Sequence, residues 1–204
     1  MAATVDALLP LSLLEAVRTV DTPEGDLETE YVPELRNKRL GLSDTVYSQI
    51  RRYTDAVRRK QRTALDDAVA LARLIGRRGD AEAVFRAAGR HLANEAYETI
   101  SASRRNLMRA LPSIIARPLA LRQAKRICAR YFDGHLSRVG SSLILDVPSA
   151  VTVDTAPRDA GCAYYEAGLR ELVRLLIGGS GGVEHVRCAG RGEGTCQWRV
   201  EWRT

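Results

Sequence analysis

Apolar residues recur at helical spacing through the first two thirds of the chain and change period after Gly134. From Ser43, an N-cap residue type, Tyr47, Ile50, Val57, Ala64, Leu65, Ala68, Leu71 and Ile75 follow one face as far as Gly76 and Gly79. This spacing predicts one long helix or two abutting ones. Asp80 is placed to cap a further helix through AEAVFRAAGRHLANEAYETISAS, and after Pro112 another runs roughly from Ser113 to Phe132, with Pro118 restarting or bending it. Ahead of these, VDALLPLSLLEAVRTV (5–20) reads as a short helix with Pro10 near its first turn. The acidic linker DTPEGDLETEYVPE follows it, so residues 1–40 are expected to be an addition to a main domain spanning 41–204.

Beyond Gly134, SSLILDVPS has strand composition and AVTVDTAP reads as a second short strand or an extended link. CAYYEAGLRELVRLLIGG returns to helix, with Tyr165, Leu169, Leu172 and Leu176 on one face and a glycine stop. VEHVRC and CQWRVEW then read as two strands joined by the Gly-rich AGRGEGT, a hairpin connection. The expected class is α+β, a helix-rich N-terminal two thirds packed on a small antiparallel sheet.

Composition narrows the partners. With 204 residues and 45% apolar content the chain can build one main core, and its net charge of +6 favours anionic partners. Aromatic content is 5%, and no helix-turn-helix, stacking set or dense basic tail points to nucleic acid. No run of about 18 apolar residues is long enough to span a bilayer, and the first residues lack the basic region of a secretory signal. The expectation is a cytoplasmic protein without an integral membrane segment. Four cysteines in such a chain suit metal ligands or core packing better than a disulfide framework.

Zinc takes about four thiolate or imidazole ligands in a tetrahedron, and the chain offers Cys162, His185, Cys188 and Cys196. Cys162 opens a helix, where the dipole favours a thiolate, while Cys188 and Cys196 flank the hairpin. On a regular strand Glu184 shares the parity of Cys188 and His185 points away; a bulge would reverse that. The competing reading is three small thiols packed in a core, which is also the simplest account of Cys128.

The segment CAYYEAGLRELVRLLIGGSGGVEHVRCAGRGEGTCQWRVEW, and more weakly RNLMRALPSIIARPLALRQAKRICARYF upstream, resembles the 4-vinyl reductase domain family, particularly its bacteriochlorophyll-pathway members. That family shares its fold with Bet3-type subunits of vesicle-tethering complexes. The resemblance implies a small-molecule-binding domain, here for a chlorophyllide-type tetrapyrrole, assisting bacteriochlorophyll biosynthesis beside pigment-synthesis enzymes. It also implies structural zinc: the Cys, Glu, Cys, Cys set of the family's phenol-sensing members lands on Cys162, His185, Cys188 and Cys196, with His185 departing from the family's Glu. A second reading is a stand-alone sensor domain for another aromatic or lipid-like molecule.

Neither GGSGG (178–182) nor AGRGEG (189–194) follows a strand and opens a helix, as a dinucleotide fingerprint must, so a carrier role is expected over self-sufficient reduction. Arg51 and Arg58, with Arg62, line one helical face as partners for ligand carboxylates, or form a solvated face. Tyr164 and Tyr165 line the pocket or pack the helix on the sheet. His135 and His91 are candidate ligands for a pigment's central metal, against ordinary surface or core roles. The apolar stripe of 43–76 offers a homodimer interface.

Overall fold

The computed structural model describes residues 3–22, 40–178 and 182–201. Most of the acidic linker, part of GGSGG and the closing Trp202 lie outside the described residues. Among the described residues, β1 (Thr4–Asp6) leads into α1 (Leu8–Asp21), and after a short 3-10 turn come α2 (Asp44–Arg58), β2 (Arg62–Ala64) and α3 (Leu65–Gly76). Three further helices follow, α4 (Ala81–Glu98), α5 (Ala102–Ala110) and α6 (Ser113–Tyr131). The β-rich part holds β3 (His135–Val139), β4 (Ser142–Val147), α7 (Ala163–Ile177), β5 (Val183–Arg187) and β6 (Cys196–Glu201). The class is α+β, as the pattern predicts.

α1 is no appendage. Its Leu9, Leu13 and Val17 are almost fully buried in the same core as the rest, because nearly every residue of LLPLSLL is apolar and packs against α2 or α4. Pro10 costs no helical bond there, since first-turn amides have no partner within the helix. Of the one or two helices expected over 43–76 the structure has two, separated by a short strand: α2 starts on Ser43, whose Oγ accepts from Val46 N–H at 3.3 Å, and ends where Lys60 turns left-handed. Arg62–Ala64 then pair antiparallel with Thr4–Asp6, so Arg62 leaves the helical face of Arg51 and Arg58. Of the stripe offered as a dimer interface, Ile50, Ala68 and Ile75 are buried in the chain's own core, Val57, Leu65 and Leu71 are half-buried, and Tyr47 is exposed. Asp80 makes no side-chain cap; Arg78 Nε holds it at 2.7 Å while bridging to Asp21 at 2.6 Å. α6 runs through Pro118, and α5 and β3 stand as separate elements that the pattern did not resolve.

α4 is the central helix, lying between α1 and α7. It crosses α7 in near backbone contact at Gly89, where a Cβ would stand 2.0 Å from the Tyr164 carbonyl oxygen. The four-stranded sheet runs β3-β4-β6-β5, all antiparallel, and its inner face carries Leu136, Leu145 and Trp198 in one cross-strand row, with Leu143 opposite Val200 and Val147 opposite Cys196. This alternation of buried and partly exposed positions along β4 and β6 is what a half-covered sheet requires. AVTVDTAP forms turns, not a strand: buried Thr152 donates to Gly161 O at 2.6 Å, and Asp154, Arg158 and Asp159 all take left-handed backbone. That loop and a 3-10 turn (Pro157–Cys162) deliver Cys162 to the start of α7.

Candidate metal centre

The hairpin predicted around CAGRGEGTC forms, and its irregularity decides the ligand parity. Along β5, His185 faces Trp198 and Arg187 faces Gln197, so one residue is bulged out between them. The bulge brings His185 to the side of Cys188, while Glu184 stays outside and pairs with Arg199 at 2.5 Å. As a result one ligand atom each from Cys162, His185 and Cys188 lies within 4.8 Å of the others. Cys188 and Cys196 are fully buried and Cys162 nearly so.

The sulfurs of Cys162 and Cys188, 26 positions apart, are separated by 3.8 Å. That is far beyond a disulfide bond of about 2.05 Å. It matches the edge of about 3.8 Å that two sulfurs span when each sits about 2.3 Å from one tetrahedral zinc. His185 adds an observation of its own: its Nε2 is buried without a hydrogen-bond partner, whereas the ring also bonds the Arg187 backbone. A neutral imidazole with one nitrogen held by a backbone group and the other free is the form in which histidine ligates a metal. Burial, followed by the charge of Arg191, lowers the His185 pKa and so favours that neutral form.

Cys196 lies beside this group, close enough for its charge to act on both other sulfurs. Its sulfur accepts from Ala189 N–H at 3.2 Å. Burial lifts its thiol to about 11, with the Ala189 N–H acting in the opposite direction and Cys188 adding to the rise. Burial, then Cys188, likewise drives Cys162 well above an ordinary thiol. Desolvation therefore overrides the helix-dipole effect expected at that position. Three thiols and an imidazole thus share a space from which water is largely absent, an arrangement suited to a thiophilic cation.

The loop is built to hold this geometry. The Cys188 carbonyl accepts from Arg191 N–H at 3.1 Å and Glu193 N–H at 3.2 Å, and Cys188 N–H donates to Glu193 Oε2 at 2.8 Å. A Cβ at Gly190 would come within 2.3 Å of Asp154 Oδ1 and push that carboxylate aside, and Gly192 has φ +77°, which favours glycine. Glu193 and the Asp154–Asp159 loop were not singled out in the sequence, although Glu193 lies inside the cysteine-flanked motif.

The other predicted residues lie elsewhere. Tyr164 and Tyr165 are fully buried: Tyr164 Oη lies 3.2 Å from Ser12 Oγ, and Tyr165 Oη accepts from Val151 N–H at 3.0 Å. Tyr165 also stacks on Trp198 with ring centres 4.9 Å apart, and Trp198 stacks on His185 at 4.7 Å. Tyr165 thus braces His185 through Trp198 from within the core. His135 is exposed on β3 opposite Asp146, and Arg51 and Arg58 are exposed on α2. Cys128 is fully buried in α6, and burial raises its thiol to about 12, as a core thiol should behave.

Several clefts of about 320 to 380 Å³ indent the described residues, and two of them lie against α6. One of about 360 Å³ opens between α4, α5, α6 and the end of α7, with Met108, Leu111, Ala120 and Leu176 forming apolar walls and Arg105 and Arg109 at its edge. The second, of about 380 Å³, lies between the end of α2 and α6. Among the described residues no helix is long and apolar enough to cross a membrane. No model of a known protein family matches the chain, and no curated protein matches it.

Proposed function

We propose that this chain is a zinc-fastened, cytoplasmic domain that binds a hydrophobic small molecule, of the 4-vinyl reductase type that its C-terminal segment resembles. The observation that carries the reading is the convergence of Cys162, His185 and Cys188, with Cys196 alongside, from a helix start and a bulged hairpin. These are the positions onto which the family's ligand set falls. With four protein ligands zinc has no open coordination position, so its contribution is to hold the hairpin against α7 and not to activate a substrate. Zinc content of protein purified without a metal-affinity tag tests this: about one ion per chain, lost in Cys188→Ser and Cys196→Ser, is expected. A chain that folds without metal in every preparation overturns it.

The ligand role belongs to the apolar cleft between α4, α5, α6 and α7, whose arginine edge suits a molecule carrying a carboxylate. A chlorophyllide-type tetrapyrrole meets that description, and the resemblance makes it the first ligand to try; the chain would then assist pigment synthesis as a carrier. A second reading, a sensor for a smaller aromatic or lipid-like molecule, draws on the volume of about 360 Å³. That lies near the lower end of ligand sites, which run from about 300 to 1,000 Å³. Titrating the protein with a chlorophyllide and with simple aromatics separates the two: a saturable shift in pigment absorbance supports the first, and binding of aromatics alone supports the second.

A further inference from the structure

The positive charge of the chain is concentrated in one segment. Residues 99–132 hold eight of the 31 Arg and Lys residues and none of the 25 Asp and Glu residues, leaving 23 cations against 25 carboxylates everywhere else. The fold then gathers part of this segment with the end of α2. The cleft of about 380 Å³ is lined by Arg58, Lys60, Arg104, Arg126 and Arg130 and by a single carboxylate, Asp6. Asp6 is committed, accepting from Leu8 N–H at 3.0 Å and from Arg130 Nε at 3.4 Å, and Arg58 has only a distant contact with Asp55 at 3.8 Å. Among the described residues, Lys60, Arg104 and Arg126 have no carboxylate within ion-pair distance. Ile127 and Tyr131 close the floor.

Lys60 supplies an independent sign that the cleft is built for an anion. It sits at φ +55° in a helix-ending turn in which Lys60 N–H donates to Val57 O and Gln61 N–H to Ala56 O, both at 2.9 Å. Glycine fills this left-handed position at least cost. A lysine there accepts backbone strain and adds a fifth cation to the cleft, a combination characteristic of functional sites. We infer that this cleft is a binding site for a phosphate group, held by Lys60, Arg104 and Arg126 with Arg58 and Arg130 at its sides. A phosphate offers several acceptor oxygens and a multiple charge, which suits several guanidinium groups and an ammonium lining one cleft better than a single carboxylate does. The site stands apart from the metal centre and the apolar cleft, and does not depend on either.

The test is calorimetric titration with inorganic pyrophosphate, alongside sedimentation with vesicles of phosphatidylglycerol or of phosphatidylcholine. Saturable one-site pyrophosphate binding, weakened about tenfold or more in Arg104→Gln/Arg126→Gln and unchanged in the exposed Arg138→Gln, assigns the site to a soluble phosphorylated molecule. Sedimentation with phosphatidylglycerol alone, lost in the same double variant, assigns it to a lipid headgroup. Lys60→Gly is expected to raise the melting temperature while weakening either interaction, a pairing of opposite signs that general loss of folding cannot produce. Absence of both kinds of binding, or binding weakened equally by Arg138→Gln, overturns the inference, since diffuse charge would account for the second. Binding only to an oligonucleotide overturns it likewise.

Discussion

Two buried polar regions lie on either side of Trp198, and they are closed in different ways. On the core side, Tyr164 and Tyr165 find partners within the chain, in Ser12 Oγ and the Val151 amide. On the hairpin side, Cys162, Cys188 and His185 crowd together with Cys196 alongside, and His185 Nε2 is buried with no partner, as is Trp198 Nε1 between the two regions. Buried polar groups are nearly always satisfied, so a region that satisfies itself is architecture, while one that leaves an imidazole nitrogen open beside two thiols is where a metal would be held. The contrast separates the tyrosines from the ligand set although both occupy neighbouring positions in CAYY.

Removing the outside component should have the largest effect. Chelation, or Cys188→Ser, leaves raised thiols and an imidazole facing one another, and a loss on the order of several kcal/mol is expected. Thermal unfolding with and without chelator reads it, and Cys128→Ala, outside the cluster, should keep the metal. Next comes Tyr165→Phe, which strands the buried Val151 amide and should cost about 1–3 kcal/mol in urea unfolding without altering metal content. Tyr164→Phe should cost less, about 0.5–1.5 kcal/mol, because Ser12 Oγ still donates to Leu9 O at 2.7 Å. Equal losses for the two tyrosines would break the distinction between a stranded donor and one that keeps a partner.

The smallest effect concerns Asp21, a third group closed from within. Burial alone would raise its pKa, but hydrogen bonds from Arg78 and the Gly41 amide hold it below the ordinary 3.8. A depressed carboxyl contributes fully above its ordinary value, and that contribution disappears as pH falls through the lower folded-state value. Melting temperatures measured from pH 5 downward should therefore fall less steeply in Asp21→Asn than in the parent. Identical acid profiles would show that the pair contributes nothing.

Much of the candidate metal site was legible because its signals are local: two cysteines around glycines, a third cysteine at a helix start, and a histidine in a short strand. What local pattern could not supply was the bulge, which depends on how β5 meets β6 and alone selects His185 over Glu184. The same limit hides the short strand between the two helices of 43–76. The apolar repeat runs unbroken from Tyr47 to Ile75, but Arg62–Ala64 are claimed by Thr4–Asp6, a pairing between segments some 58 residues apart that overrides local propensity. AVTVDTAP misled for a related reason: its β-branched residues suit a strand, yet Gly161 approaches Thr152 so closely that a Cβ would come within 1.7 Å of its carbonyl oxygen. The core role of α1 was hidden because an apolar helix does not announce which surface it will cover.

The burial of α1 has a consequence in time as well as in space. The apolar face of α1 is covered by α2 and α4, and Ser12 meets Tyr164 across 152 positions, so that face stays open until segments distant along the chain arrive. Closing so long a loop is slow, and the exposed Leu9 and Leu13 side chains are open to wrong partners meanwhile. Refolding of this chain should be rate-limited by these distant pairings, and it is during that interval that a chaperone would matter most.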